Sequence, residues 1–469
     1  MLSLVLPLAM GFLIALLLTE KDREIGVYER IFLGYGIGMG LVAVEVFWIG
    51  LLGIPYTLLS ISAVPATSCL ALIVWIRHFH ITDKAEPNYS IGADTWSIGA
   101  DTWSMFTTPQ RVIATLLMIW IFAKIVFVIY EGLHYPLFSW DTWANWSAGA
   151  KFFYYRQGLA LDPADVNFFG TGYRSYLGHP LLSPLLQVWT SYYVGEFHEA
   201  LAKAWQSLYF VSLLGLFFFA VKRATSLLMA LLATTLLAAV PLLTFHAFDG
   251  YSDLPLGFYA FAGTACFWRY IISRNDKMLV LSGIFAGIGM FTKNEGLFFV
   301  VATALSLTCY SYFKKTNIKR PMLCFLVPVL AVSGPWIVFK LVFNLGYGHH
   351  IAQQFVGYDM FLTAIVEMLK VFFLEANFNI VIALFVLTIV LNGRVLMKDD
   401  IKYLFIIIAF VGTLFFGIYV FSEQEFRESL VGRMAVNRNI LTYISIVYFY
   451  TSLALHKTWY RERSGLFTR

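Results

Sequence analysis

Apolar residues dominate this chain in long, nearly unbroken runs, and the polar residues gather between them. The runs lie at about 2–19, 31–52, 57–76, 112–130, 205–221, 225–246, 255–272, 278–292, 297–313, 321–343, 373–392, 401–421 and 438–456. Most are roughly 17–25 residues long, enough to cross a bilayer as helices. The pattern predicts an all-α polytopic membrane protein of about thirteen transmembrane helices. The first run has neither a basic start nor a small-residue cleavage site, so it reads as a span and not as a signal peptide. Three intervening segments, 131–204, 344–372 and 422–437, are polar enough to carry function. Within the first, Trp143–Leu159 alternates polar and apolar residues as a helix lying in the membrane interface would.

Composition sharpens the picture. The chain is 59% hydrophobic and 18% aromatic, with 13% charged residues and a mean hydropathy of +0.72. No soluble core could hide so much apolar surface, so the bilayer is the expected solvent. Suppose the segments near 20–30, 77–111, 222–224, 269–277, 314–320, 393–402 and 457–469 are cytoplasmic. They then hold most of the 33 Lys and Arg, while the acids lean the other way. This positive-inside bias places the N-terminus outside and the C-terminus inside, in a multi-pass cytoplasmic (inner) membrane protein. The three polar segments then face the periplasm or the exterior. The net charge of +5 thus reflects topology and gives no evidence for a nucleic-acid partner. Cys69, Cys266, Cys309 and Cys324 all fall in apolar runs, so neither a disulfide framework nor a cysteine metal site is expected.

The richest chemistry lies in Tyr135-Pro-Leu-Phe-Ser-Trp-Asp-Thr-Trp-Ala-Asn-Trp146, with Lys151 beyond it. Asp141, between Trp140 and Trp143, reads either as a base for a hydroxyl proton or as a helix N-cap. The tryptophans suit a sugar face or an interfacial belt. In His246-Ala-Phe-Asp-Gly-Tyr-Ser-Asp253, Asp249 and Asp253 could hydrogen-bond a sugar or hold a divalent cation; Asp253 also suits a cap ahead of Pro255. The turn Phe291-Thr-Lys-Asn-Glu-Gly296 joins two runs of about 15 and 17 residues, roughly 22–26 Å as helices against a core of about 30 Å. Lys293 and Glu295 are therefore expected below the surface, where charges serve a site or simply pair. Arg174 and His179 are candidates for phosphate or sugar, arginine being the better fork, and Lys203 is a further substrate candidate. Arg433 and Arg438, at the outer end of the last span, could face a phosphate or only snorkel to headgroups. Lys124, about 9 Å inside its span, could reach a lipid phosphate or snorkel. On the opposite side, 90–103 is a tandem repeat of Ser-Ile-Gly-Ala-Asp-Thr-Trp, too short for a solenoid and read as a tolerated duplication. Walker-type, Gly-x-Ser-x-Gly, His-Glu-x-x-His and Cys-x-x-Cys motifs do not occur.

Four of these pieces, Trp140-Asp-Thr-Trp with Ala150-Lys, His179-Pro-Leu-Leu-Ser-Pro, Gly250-Tyr-Ser-Asp-Leu-Pro-Leu and Thr292-Lys-Asn-Glu-Gly-Leu, occur in an order that resembles the GT-C class of integral-membrane glycosyltransferases. The likeness is greatest to bacterial relatives of dolichyl-phosphate-mannose protein mannosyltransferases and lipid A aminoarabinose transferases. The resemblance implies a polyprenyl-phosphate sugar donor and transfer outside the cytoplasmic membrane. It carries the catalytic acid onto Asp141 and the second acidic loop onto Asp253 or Asp249. Two features depart from the class. The first acidic loop follows the fourth span instead of the first, so 1–111 reads as an added N-terminal region before a catalytic module at 112–320 and a C-terminal region at 321–469. Thr142 also stands where a second acid would pair with Asp141.

The expected function is therefore inverting transfer of a sugar to a saccharide, lipid or protein acceptor, with Asp141 as base. Asp249, Asp253, Lys293, Glu295, Arg174, His179, Lys203, Trp140 and Arg433 are expected to bind substrate. No cofactor is expected, though a divalent cation near Asp249 and Asp253 is compatible with the pattern. The competing expectation is a transporter of a solute or lipid-linked saccharide, for which Glu45, Lys293 and Glu295 would be the intramembrane charges.

Overall fold

The computed structural model describes residues 2–20, 22, 24–82, 103–104, 106–159, 178–345, 361–421 and 434–463. Among them the fold is all-helical. The N-terminal helices are α1 (Leu2–Thr19), α2 (Val27–Leu51), α3 (Leu58–Thr82) and α4 (Thr108–His134). A π-helical turn, Asp141–Ser147, runs into α5 (Ala148–Arg156), and α6 (Leu182–Val194) follows. The central set is α7 (Trp205–Ala224), α8 (Leu227–Ala238), α9 (Pro241–Asp249), α10 (Asp253–Ser273), α11 (Asp276–Thr292) and α12 (Gly296–Lys314). The last group is α13 (Lys319–Val342), α14 (Phe361–Phe373), α15 (Val381–Leu396), α16 (Lys402–Phe421) and α17 (Met434–Arg463).

Each expected apolar run overlaps a helix. Eight of the described helices are long and apolar enough to cross a membrane alone, and α8 with α9 form a ninth span if the pair is counted as one. That pair is bent by 65° at the residues before Pro241, whose ring cannot continue the hydrogen-bond ladder. The protein is thus a multi-pass membrane protein.

Local chemistry sets several helix ends. The Gln110 side chain accepts from the Thr107 N–H ahead of α4, the Ser226 hydroxyl accepts from Met229 N–H at α8, and Asn275 accepts from Lys277 N–H at α11. Glycines let α1 and α2 approach closely: a Cβ at Gly38 would strike the Pro7 carbonyl, and one at Gly11 would strike that of Gly34.

The helix that positions the site is α10. It is buried along almost its whole length, packing against α11 and α17, and so holds its first residue, Asp253, at a fixed depth. Tyrosines lock the surrounding layer. Tyr259 donates to the Gly36 carbonyl at 3.0 Å and shares a hydroxyl contact with Tyr209, while Tyr35 donates to the Trp205 carbonyl. By contrast, only 17% of the α3 span and 11% of the α4 span is buried, which leaves both as peripheral helices with apolar outer faces.

Candidate active site

Four separate segments meet at one end of the bundle: the π-helical turn, the α9–α10 link, the α11–α12 turn and the first turns of α17. Asp253 is the first residue of α10, after Ser252 at the cap position, so its carboxylate is available for side chains. It is completely buried. Its Oδ1 accepts from Lys293 Nζ at 2.8 Å, and its Oδ2 accepts from Arg438 Nη2 at 3.0 Å and Nε at 3.2 Å. A buried carboxylate is tolerated only with such compensation. Burial works against the Lys293 ammonium, but the carboxylates of Asp253 and Glu295, at 2.8 and 3.2 Å, lift it above the ordinary lysine range.

Arg438 reaches further. Its Nη1 donates to Asp141 Oδ2, so one guanidinium bridges residues separated by more than a hundred positions in sequence. Its Cζ lies 4.3 Å from the centre of the Tyr251 ring, which stacks on His246 at 4.5 Å. His246 Nδ1 faces Asp253 Oδ2 at 3.7 Å. Asp141 opens the π-helical turn with its side chain 29% exposed, against none for Asp253. Besides Arg438, its Oδ1 accepts from Asn145 Nδ2 at 3.3 Å. Such π-helical turns recur at functional sites because the widened turn re-aims side chains.

A second cluster stands behind this one. Thr142, next to Asp141, donates to Asp249 Oδ2 at 3.4 Å. The buried Lys203 ammonium donates to the Phe248 carbonyl and lies 5.8 Å from the centre of the Tyr135 ring. Gly250, at φ +107°, closes the α9–α10 link; a Cβ there would strike the Thr142 methyl. Gln206 donates to the Tyr251 carbonyl and Ser183 shares a hydroxyl contact with Ser252 at 2.6 Å, so α6 and α7 brace the same link.

Of the expected site residues, Asp141, Asp253, Lys293 and Glu295 come together. Asp249 and Lys203 form the neighbouring cluster, tied to the first through Thr142. His179 packs edge-to-face on Trp146 at 5.7 Å. Trp140 is exposed and meets Trp143 edge-to-face at 4.7 Å, whereas Trp146 is buried. Lys124 lies among α4 aromatics, 5.6 Å from the centre of the Phe127 ring. Arg174, Arg433 and the 90–102 part of the tandem repeat lie outside the described residues. The bridging role of Arg438, and the His246–Tyr251 stack beneath it, had no signal in the sequence beyond a basic residue near a span end. Among the described residues no three His, Cys, Asp or Glu side chains converge as metal ligands. Both oxygens of Asp253 already bear cationic donors, so a divalent ion there would have to displace Lys293 or Arg438.

No protein-family model matches this sequence, and no curated protein matches it. Among solved structures, the fold is similar to that of ArnT from Cupriavidus metallidurans bound to undecaprenyl phosphate, with a TM-score of 0.51 and 15% identity. The likeness covers 75% of this chain and 63% of that one, so the chain spans less than two thirds of the ArnT length. The fold is GT-C-like.

Proposed function

We propose that this protein transfers a sugar from a polyprenyl-phosphate donor to an acceptor hydroxyl at the outer face of the cytoplasmic membrane. The observation that carries the proposal is a partly open carboxylate, Asp141, paired with Arg438, which shares the buried Asp253 with a second cation, Lys293, at one end of a GT-C-like bundle. The ArnT structure, which holds undecaprenyl phosphate, supports a lipid-phosphate ligand for such a fold.

The chemistry asks for few groups. Asp141 takes the proton of the acceptor hydroxyl as its oxygen attacks the anomeric carbon. The bond from that carbon to the phosphate oxygen breaks with its electron pair staying on the phosphate, and the configuration inverts. Phosphate is a good leaving group, so no general acid is needed, unlike glycoside hydrolysis with its two carboxylates. Arg438 and Lys293 face the charge that grows on the departing phosphate. Asp253 holds both cations in place, and its burial fixes their positions. The exposed Trp140–Trp143 pair offers an aromatic surface beside Asp141 for a sugar ring.

Asp141→Asn is expected to lower transfer from membrane polyprenyl-phosphate sugars by about 10²-fold or more, the usual worth of a general base, with binding of the lipid retained. Undiminished transfer at matched folded protein would remove Asp141 from the role. A transport reading draws on Glu45, whose Oε2 is buried in α2 without a hydrogen-bond partner. Solute flux lost in Glu45→Gln, with no sugar transfer by the wild type, would favour it.

A further inference from the structure

Arg438 occupies the group that the proposed reaction needs free. Asp141 Oδ2 accepts from its Nη1. A hydroxyl that approaches this oxygen must compete with the guanidinium for it, and Oδ1 already accepts from Asn145 Nδ2 at 3.3 Å. The attachment is lopsided, however. Two nitrogens of Arg438, Nε and Nη2, reach Asp253 Oδ2 at 3.2 and 3.0 Å, and Tyr251 supports the guanidinium face at 4.3 Å. Only Nη1 reaches Asp141. Asp253 is fully buried and keeps Lys293 on its other oxygen, whereas Asp141 stands at the open side with 29% of its side chain exposed. The edge of the fork built from Nη1 and Nη2 is the one that a phosphate takes with two parallel hydrogen bonds. An incoming phosphate therefore competes with Asp141 and not with Asp253.

We propose that the phosphate of a polyprenyl ligand takes the Nη1 edge of Arg438 from Asp141, so that docking of the donor releases the base. The inference rests on the reading above, in which Asp141 is the base and the donor carries a lipid phosphate. It favours binding of the donor first, because the acceptor hydroxyl competes with Arg438 for Asp141 until Arg438 has turned to the phosphate. It also gives the empty enzyme a means of sparing bound hydroxyl groups from activation. Arg438 is the switch, Asp253 and Tyr251 are its pivot, and Asp141 is the group released.

The test is a double-mutant cycle on equilibrium binding of undecaprenyl phosphate to purified full-length protein in detergent, with undecaprenol as the headgroup control. If one guanidinium is shared, Asp141→Asn frees it and tightens undecaprenyl phosphate binding about fivefold, the scale of one partly exposed ion pair. In an Arg438→Gln background the same Asp141→Asn change is expected to leave the Kd within about twofold. Unchanged or weakened binding in Asp141→Asn overturns the proposal. So does equal tightening in the Arg438→Gln background, which would report simple repulsion between Asp141 and the phosphate. If Arg438→Gln does not fold, Arg438→Lys takes its place, since an ammonium keeps the charge beside Asp253 but cannot fork across both carboxylates. The Asp141→Asn effect should then shrink to less than about twofold, and full persistence would again overturn the proposal. Failure of the wild type to bind undecaprenyl phosphate in preference to undecaprenol would defeat the underlying functional reading itself.

Discussion

The two ends of the helix bundle both carry dense ionic clusters, and they use arginine differently. At the end opposite the site, Arg269 lays its Nε and Nη2 on the two oxygens of Asp22, each at 2.6 Å, and its Nη1 on Glu24 at 2.5 Å. Arg223 donates to the buried Glu29, and Lys277 to Glu20 at 2.7 Å. These acids come from one short stretch around the α1–α2 link, so the cluster staples that link to α7, α10 and α11. The Arg269–Asp22 pair is a closed fork with both carboxylate oxygens taken. At the site end, the acids come from regions far apart in sequence, and the fork of Arg438 is split between Asp141 and Asp253. A closed fork suits a structural tie. Arg269 too shares its guanidinium with a more exposed acid, Glu24. What sets the two apart is the span of the bridge: Arg269 ties acids of one short link, whereas Arg438 holds together acids that only the fold brings near.

The largest expected effect contrasts the two arginines directly. Arg438→Ala leaves the buried Asp253 carboxylate with Lys293 alone and should cost about 3–5 kcal/mol of stability, together with loss of transfer per folded molecule. Arg269→Ala should cost stability on a similar scale while transfer per folded molecule stays near wild type. Thermal unfolding in detergent and transfer assays on the folded fraction would check both. Equal loss of transfer in the two variants would erase the distinction.

A smaller effect is the pH dependence of the far-end staple. Burial favours the neutral Asp22 carboxyl, but the Arg269 fork outweighs it and holds the group below the usual carboxylate range. A depressed native value means that the contribution is complete above the unfolded value of about 4 and is lost as pH falls through the native one. The stability difference between wild type and Asp22→Asn should therefore be constant above about pH 5 and vanish in acid. A difference that grew on acidification would refute the pairing. Lys293 follows the opposite rule: its raised value keeps its contribution intact below about pH 10 and removes it only at higher pH.

The smallest effect is expected behind the site. Thr142→Val removes the hydroxyl that joins the π-helical turn to Asp249 at 3.4 Å, a long bond worth about 0.5–1 kcal/mol. A modest fall in transfer with little change in unfolding temperature would fit a link that positions Asp141. Equal and large losses in both would make it a packing contact.

Much of this organisation was legible in the residues themselves. Apolar runs fixed where the helices lie, because a backbone crossing hydrocarbon must satisfy its own hydrogen bonds. Lys293 and Glu295 announced themselves as charges in a short turn between short spans, and both join the site. Asp141 and Asp253 stood out as acids in aromatic or glycine-rich links. Asp253 was also legible as a cap, yet the helix begins one residue earlier in function, with Ser252 at the cap position. That single-residue register decides whether the carboxylate faces backbone N–H groups or Lys293 and Arg438. Arg438 reads as a phosphate candidate or a snorkelling side chain at a span end, and nothing local shows that it bridges two acids.

By itself, then, the sequence determined the solvent of this protein, the succession of its helices and the short polar links where chemistry could sit. Those properties depend on hydrophobicity and on neighbours a few positions away. Only the tertiary structure decided that residues 141, 253, 293 and 438 share one pocket of charge, that Asp249 and Lys203 stand behind it, and that His179 packs on Trp146. Pairing across hundreds of residues depends on how α10 and α17 pack in three dimensions. No periodicity along the chain encodes which cation a buried carboxylate will meet.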